Sequence, residues 1–402
     1  MSKRFLVALL TGLFLSTLAP PVFAATPKKA SAAKKKTSKK PAKKSSKKKP
    51  SKSEKKPAEV VTVKSRPSGE LKPPLPKSGA DEFTFVAGGD TMLGSDYPDS
   101  STLPPDEGAE VLSGVKSILS AADVAFVNVE GALLDGGTSS KCSKKREGKG
   151  CYTFRTPTSY GKNFADVGID VVSLANNHAT DFGEKGIDST AQVMRDLGIA
   201  YSGKKGEVAT LTVKGKKLTL IAFASSAGYL SPSFWDVEAA RTLVSEAAKE
   251  ADLVIVSFHG GREGASAQHF RPQSGGVDQV IRDFSRAVIE AGADLVIGHG
   301  PHVLRGLEFY KGKLIAYSLG NFATHKRFNL KGPNGLSVAL EVRLGLDGSF
   351  KGGQLHPLRQ EWPGGPQPDP SGEGVWVMRQ LSQDDLGESA AIIGDDGSIS
   401  AP

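Results

Sequence analysis

The sequence predicts an α/β layered domain, and three observations carry the prediction. Short apolar runs rich in Val, Ile, Leu and Phe recur along residues 81–350, each only a few residues long, as strands buried on both faces do. Amphipathic stretches lie between them: Val111, Val115, Ile118 and Leu119 fall on one helical face, and so do Val277, Val280, Ile281, Phe284 and Val288 ahead of Gly292. Seven of the apolar runs also end in polar residues able to hold a metal or a phosphate. Ligands of open α/β sheets collect outside the carboxyl ends of the strands, so polar chemistry at successive strand ends reads as the rim of one site.

The elements follow in order from the start of the chain. Lys3 and Arg4, the apolar stretch Phe5 to Leu18 and the small-residue site Val22-Phe23-Ala24 read as a secretory signal over residues 1–24. The apolar stretch is too short, and too soon broken by Pro20-Pro21, for a transmembrane anchor. The mature chain is therefore expected to lack a transmembrane helix and to be extracytoplasmic, either periplasmic or secreted. Residues 25–80, mostly Lys, Ser, Pro and Ala, have too little apolar content for a core, which predicts a disordered, self-repelling basic tether. Residues 26–77 alone carry 19 Lys or Arg against 3 Glu. The whole chain is +9, so with the signal's Lys3 and Arg4 also set aside the remainder is −9, an acidic globule on a basic tail. A cytosolic chain of this kind would suggest nucleic acid. For an exported one no nucleic acid is expected, and an anionic cell-envelope surface or an acidic polymer fits the charge, with a plain solvated spacer as the alternative.

Residues 81–350 span roughly 270 positions, enough for one large core. After Pro363 the chain loosens into PGGPQPDPSGEG, so residues 351–402 read as a C-terminal extension with a short helix at Gly374 to Leu381 and a polar tail. The two cysteines, Cys142 and Cys151, stand close together in KCSKKREGKGCY. In an oxidising compartment they are expected to pair across a surface loop, since a zinc site would need further ligands and the loop holds no His.

The strand ends carry the chemistry. FTFVAGGD ends at Asp90, VAFVNVEG carries Asn128 and Glu130, and VVSLANNH ends at Asn176, Asn177 and His178. LTLIAFASS ends at Ser225 and Ser226, LVIVSFHGG holds His259, LVIGHGPH holds His299 and His302, and LIAYSLGNF ends at Asn321. Gly88 and Gly89 before Asp90 allow close backbone approach. Taken singly, each residue has a bland explanation: Asp90 as a turn cap, Asn176-Asn177 as turn residues, His259 as a hydrogen-bonded core histidine. Taken together, carboxylates with imidazoles suit Mn, Fe or Zn better than Ca or Mg, as one ion or as two sharing a bridging carboxylate. One His would remain for general-acid work. His269 and His356 read as surface residues, and His325 as a neighbour of the site.

The motifs GGDTML, NVEG, SLANNHATDFGEKGI, HGGREG and GHGPHVLRGLEFYKGKLIAYSLGNF resemble those of the CapA family, over about residues 83–345. That family is associated with poly-γ-glutamate capsule synthesis and is similar to the calcineurin-like metallophosphoesterases. The resemblance implies a four-layer αββα sandwich of the metallophosphoesterase type over residues 81–350, with the metal site at the strand ends. It implies Asp90 and His302 on one metal, Asn177, His259 and His299 on the other, and Glu130 between them, with His178 protonating the leaving group. It also implies attack on phosphorus by water activated at the metal. Two departures stand out: Met92 occupies the position where phosphoesterases carry a ligand His, and Gly300 replaces a second His common in CapA-like chains. Glu263, Asn176, Arg155, Arg305 and Asn321 are candidate substrate contacts.

The functional expectation is a secreted CapA-type protein of capsule or extracellular polymer assembly that hydrolyses a phosphate ester with a divalent transition metal. One alternative is a metal-dependent hydrolase or transferase acting on glutamyl amide bonds. Another is a non-catalytic module whose pocket binds polymer or metal while the Lys-rich tail holds an anionic chain, a reading that the loss of a ligand at Met92 favours.

Overall fold

The computed structural model describes residues 79–143, 145–225 and 230–402. The signal and almost all of the tether expected from the sequence lie outside these residues, as does Ser226. Two sheets form the centre. The larger, of ten strands, runs in the order Ile392–Ile393, Ser398–Ser400, Phe350–Arg359, Leu336–Gly345, Glu82–Met92, Val124–Val129, Val171–Ser173 and Ala200–Ser202, with Asn321–Thr324 and Gln367–Pro368 as side branches. The smaller, of six, runs Leu307–Tyr310, Lys313–Ala316, Leu295–His299, Leu253–His259, Lys216–Ala224 and Ala209–Val213. Each holds a parallel block, Glu82–Met92 through Ala200–Ser202 in one and Lys216–Ala224 through Lys313–Ala316 in the other. Those blocks are the apolar runs of the sequence, and their side chains are buried on both faces as parallel strands require.

The sheets pack on each other through Phe83, Phe85, Phe126 and Leu340 from the larger and Leu220, Ile255 and Ile297 from the smaller. Helices cover the outer faces. Lys162–Asp166 and Gly183–Asp196 lay Phe164, Ala191 and Met194 on the larger sheet. Val237–Glu250 and Gly276–Glu290 lay Val244, Ile281, Phe284 and Val288 on the smaller. The layer order is therefore helix, sheet, sheet, helix, the αββα sandwich expected.

Several local expectations change. The Val111–Leu119 stretch is a turn, a 3-10 segment Ser113–Val115 and a single α-turn Lys116–Leu119, although Val111, Val115 and Leu119 are buried as its pattern requires. LIAYSLGNF is not one strand. Lys313–Ala316 belongs to the smaller sheet, and the chain then crosses so that Asn321–Thr324 pairs parallel with Asp90–Met92 of the larger. The crossing passes so close that a Cβ on Gly89 would sit 2.1 Å from the Gly320 carbonyl, which is why only glycine fits before Asp90.

The chain over residues 351–402, expected as an extension of the domain, is built into the larger sheet. Phe350–Arg359 pairs along its length with Leu336–Gly345, and Ser398–Ser400 pairs with Phe350–Arg359 in turn. The helix runs from Glu373 to Leu386, longer than its apolar spacing suggested, and buries Val375, Val377, Met378 and Leu381 at the margin of the inter-sheet core. His356, expected at the surface, is buried in the Phe350–Arg359 strand with Nε2 2.7 Å from Glu341 Oε2. His269 is half-buried, its Nδ1 2.8 Å from Asp385 Oδ1.

Candidate metal centre

The parallel strands of both sheets end at the same place. Asp90 and Glu130 come from neighbouring strands of the larger sheet, with Asn176, Asn177 and His178 in the turn after Val171–Ser173. His259 and His299 are register partners at the ends of adjacent strands of the smaller sheet. His302 follows in the turn after Leu295–His299, with a left-handed backbone, φ 56°.

Asp90, Glu130, His259 and His299 are all buried. His259 Nε2 lies 3.7 Å from Asp90 Oδ1 and 3.6 Å from Glu130 Oε2. His299 Nδ1 is 3.8 Å from Asp90 Oδ1. His302 places Nδ1 3.2 Å from Asp90 Oδ2 and Nε2 3.7 Å from Glu130 Oε1, and His178 Nε2 is 3.8 Å from the same Glu130 oxygen. Most of these separations are too long for direct hydrogen bonds, yet donor atoms sharing one tetrahedral ion stand about 3.4 Å apart, given metal–donor bonds of about 2.1 Å. Among the described residues both oxygens of Glu130, both ring nitrogens of His259 and of His299, and Oδ1 of Asn177 are buried without a hydrogen-bond partner. Buried polar atoms left unmet are rare and costly. Asp90, Glu130 and His259 offer donor atoms around one point, with the open imidazole of His299 beside Asp90 and an open amide oxygen on Asn177 in the neighbouring turn; carboxylates and imidazoles so placed are a divalent-metal donor set, so the residues fit the cation that the sequence led us to expect.

Electrostatics set the protonation of this cluster. Burial would raise Asp90, but the hydrogen bond to His302 and the neighbouring imidazoles hold it well below the usual carboxylate range, and Glu130 is lowered in the same balance. Burial would lower His302, but Glu130 and Asp90 push it up to about 10. Burial lowers His299 to about 4, whereas the two carboxylates leave His259 raised against the same burial.

A hydrogen-bonded chain holds the strand ends in register. Asn128 Nδ2 donates to Asp90 Oδ1 at 2.9 Å, Asn176 Nδ2 donates to Asn128 Oδ1 at 3.2 Å and to the Val129 carbonyl at 2.8 Å, and the His178 N–H donates to Asn176 Oδ1 at 3.1 Å. Asn176, expected to touch substrate, is thus buried scaffold. Asn321 lines the cavity above the cluster, yet its amide is engaged: Oδ1 is 2.9 Å from His302 Nδ1 and Nδ2 donates to the Asn334 carbonyl at 3.0 Å, so it orients His302.

The two arginines expected to meet an anion are spent elsewhere. Arg305 is wholly buried, with Nε on the Ala267 carbonyl and Nη1 on Asp278 Oδ1 at 3.3 Å; desolvation lowers it to about 10 despite Asp278. Arg155 donates to Asp96 Oδ1 at 2.6 Å and to the Gly137 carbonyl at 2.7 Å, and its guanidinium packs against the edge-to-face pair of Tyr97 and Phe182. Neither lines the cavity of about 880 Å³ that opens over the cluster, whose walls include Asn177, His178, Glu263, His302, Arg327 and Trp362.

Two features of the site were not read from the sequence. Asp181 Oδ2 lies 2.8 Å from His178 Nδ1, a carboxylate three residues after the histidine in ANNHATD that its spacing could have signalled. Met92 packs with Phe154 and Phe328, and those rings lie against His178 and His302 with centroids 4.1 Å and 5.0 Å away. The position of a ligand in phosphoesterases is thus part of an apolar wall here. The expected disulfide joins Cys142 to Cys151. Among the described residues no helix is long and apolar enough to cross a membrane.

A family model described as bacterial capsule synthesis protein PGA_cap matches residues 84–326. The PGA biosynthesis protein CapA of Bacillus subtilis is 30% identical over 276 residues, covering 63% of this chain and 67% of that protein. The capsule biosynthesis protein CapA of Bacillus anthracis is 30% identical over 180 residues, covering 40% and 41%. Among solved structures, the 5'-nucleotidase precursor of Thermus thermophilus is similar over 76% of this chain and 60% of that one, with 14% identity and a TM-score of 0.39. At that level the structural likeness carries nothing about the site.

Proposed function

The chain belongs to the bacterial capsule synthesis protein PGA_cap family, and from that premise we propose that it works outside the cytoplasm in assembling a capsule-type anionic polymer, as a metal-dependent hydrolase of a phosphate ester. The observation that supports this most is the set of buried, unpartnered donors on Glu130, His259, His299 and Asn177, closed by Asp90 and His302 beneath an open cavity. Asp90 and His302 would hold one ion, His259, His299 and Asn177 a second, and Glu130 would lie between, with Mn, Fe or Zn suited to such donors. A bound divalent cation supplies Lewis-acid stabilisation of phosphoryl charge and activates water near neutral pH.

The chain's own residues do the remainder. His178 is held at Nδ1 by Asp181 and turns Nε2 toward Glu130 and the cavity. It would deliver a proton to the leaving oxygen or stabilise charge on it. Phe154 and Phe328 shield this histidine and His302 from bulk water on one side. Asn321 and Asn128 hold His302 and Asp90 in place, so little rearrangement is needed when charge develops.

Met92 favours a second reading, a pocket that binds polymer or metal without turnover, because an apolar cluster stands where a further ligand would be. An assay of the full chain with Mn, Fe or Zn against phosphomonoesters, phosphodiesters and γ-glutamyl oligomers separates the possibilities. We expect phosphoester turnover that His178→Gln lowers by about 10²–10⁴-fold. Cleavage of glutamyl oligomers alone would transfer the site to amide chemistry, and binding without turnover of either would support the second reading.

A further inference from the structure

Beyond the metal donors and His178, the cavity wall is aromatic. Trp362, 68% exposed, and Tyr152, 42% exposed, are two of the five large hydrophobic side chains that stand open among the described residues, and both line this one cavity. Open aromatic surface beside a cavity marks a place where a ligand rests. Among the described residues Trp362 has no ring contact and its indole N–H no acceptor, so its face is unused. The backbone beneath it is nonetheless fixed. Buried Gln360 donates from Nε2 to the Asn321 carbonyl at 2.8 Å and accepts the Thr324 N–H on Oε1 at 2.9 Å, and the Gly365 N–H donates to the Thr324 carbonyl at 2.9 Å. The turn bearing Trp362 is thus pinned on both sides to Asn321–Thr324, the strand paired with Asp90–Met92. Tyr152 follows Cys151, whose bridge to Cys142 closes its loop, and its ring is 6.5 Å from that of Phe154.

The charges on the wall narrow what can rest there. Arg327 pairs with Glu147 at 3.2 Å, and Arg359 pairs with Asp369 at 3.2 Å and with Glu373. That leaves Lys331, Glu263 and Glu361 on the wall without an ion pair among the described residues. One cation against two carboxylates is ill suited to a chain of anionic groups, which would set like charge against like. The anionic end of a ligand therefore belongs over the metal donors, and the remainder should be uncharged and rich in hydroxyls for the two carboxylates to accept. A nucleobase would stack equally well, but its edge is read by fixed amides, and the wall's amides are spent. Asn321 donates to the Asn334 carbonyl, Asn334 donates to the His302 carbonyl at 2.9 Å, and Gln360 bridges two backbone groups. A sugar ring needs less fixed partners: its hydroxyls rotate to meet mobile carboxylates, and the slightly positive hydrogens of its C–H face are drawn to the electron-rich face of an indole.

We propose that Trp362 and Tyr152 form a saccharide subsite beside the metal centre, so that the ester this chain cleaves is a sugar phosphate. The sugar lies against the indole and the phenol, Glu263 and Glu361 accept its hydroxyls, and the phosphate is left to the metal donors. The cavity of about 880 Å³ is within the range of about 300–1,000 Å³ that holds a small organic ligand. In the reaction a water oxygen bonds to phosphorus and the bond from phosphorus to the sugar oxygen breaks. That oxygen takes its proton from His178, and the proton lost by the water makes good the one given. The products are inorganic phosphate and the free sugar.

The inference rests on the phosphoesterase reading for the phosphate, but the saccharide contact is tested without turnover or metal. Saturation-transfer NMR on the full chain uses the neutral methyl glycosides of glucose, mannose and N-acetylglucosamine, with adenosine monophosphate and a γ-glutamyl pentamer beside them. Ring protons of at least one glycoside should take up saturation, and raised salt should change this little. The signal should vanish in Trp362→Ala and weaken in Tyr152→Ala. It should survive in Trp362→Phe, which keeps an aromatic face, and in Trp235→Ala, whose 51% exposed ring is not part of the cavity wall. With Mn, Fe or Zn added, the KM for the matching sugar 6-phosphate should lie about tenfold below that for methyl phosphate, and Trp362→Ala should remove that difference with kcat little changed. No uptake by any glycoside, uptake unchanged in Trp362→Ala, or uptake by the nucleotide or the pentamer instead would overturn the proposal. Should Trp362→Ala not fold, Tyr152→Ala decides. Phosphoester hydrolysis with no preference for a sugar counts against the subsite alone, whereas a glycoside held at Trp362 by a chain that hydrolyses no phosphoester upholds the subsite and counts against the proposed function.

Discussion

Replacing Arg305 with Met distinguishes a structural brace from an anion contact. The guanidinium is wholly buried and donates to the Ala267 carbonyl at 3.1 Å and 2.9 Å, to the Arg262 carbonyl at 3.2 Å and to Asp278 Oδ1 at 3.3 Å. It thereby fastens the turn after His302 to the loop after His259. Methionine fills much of the volume and removes every donor. Losing one partner of a buried ion pair costs about 3–5 kcal/mol when the other is left uncompensated. Here Asp278 keeps Arg262 at 2.6 Å and the Arg271 N–H at 3.1 Å, which offsets part of that loss. Against this, two carbonyls lose a donor, at about 1–3 kcal/mol for each that stays dry. We expect a net loss of about 3–4 kcal/mol. Urea unfolding in the presence of a chelator should show it as a lower midpoint at unchanged slope, with phosphate or phosphoester binding by the folded protein little altered. A stability within about 0.5 kcal/mol of wild type, together with lost anion binding, would refute the reasoning and return Arg305 to the substrate.

Two further outcomes follow from the charges. His302, pushed up to about 10, carries a proton at neutral pH, and a metal takes only the neutral ring. Metal affinity should therefore rise with pH, about tenfold per unit below that pKa for each proton displaced, while His299, lowered to about 4, is already neutral and adds no slope. Calorimetry in two buffers of different ionisation heat should read at least one proton released per chain on loading the His302 site, and a pH-independent affinity would contradict this. The Lys-rich segment 26–77, with 19 basic residues against 3 Glu, should bind polyglutamate or anionic vesicles at low salt and release them as the Debye length shrinks. Failure of that peptide to bind at low salt removes the tail from any account of the partner.

Much of the site was legible because strand ends are a one-dimensional signal. A short apolar run locates Asp90, Glu130, His178, His259 and His299 without any knowledge of which strands are neighbours, and both sheets bring those ends together. What periodicity does not encode is direction and burial. Arg155 and Arg305 read as candidate anion contacts, whereas the fold buries Arg305 outright and packs Arg155 against the rings of Tyr97 and Phe182. Asn176 read as a contact but points into the protein, where the Val129 carbonyl needed a donor, and Asn321, although it lines the cavity, spends its amide on His302 and the Asn334 carbonyl. The chain beyond 350 read as an extension because FKGGQLHPLR mixes glycine and polar residues into a strand, and its buried Gln354 and His356 find partners in Asp396 and Glu341 only once the sheet exists.

The central claim is that the strand-end donors form a metal site, and metal content of the purified full chain tests it most directly. Elemental analysis after incubation with Mn, Fe or Zn and exhaustive dialysis should find between about one and two ions per chain, reduced in Asn177→Ala and His259→Ala variants that remain folded. No bound metal in the folded wild type, or equal metal in wild type and both variants, would contradict the account.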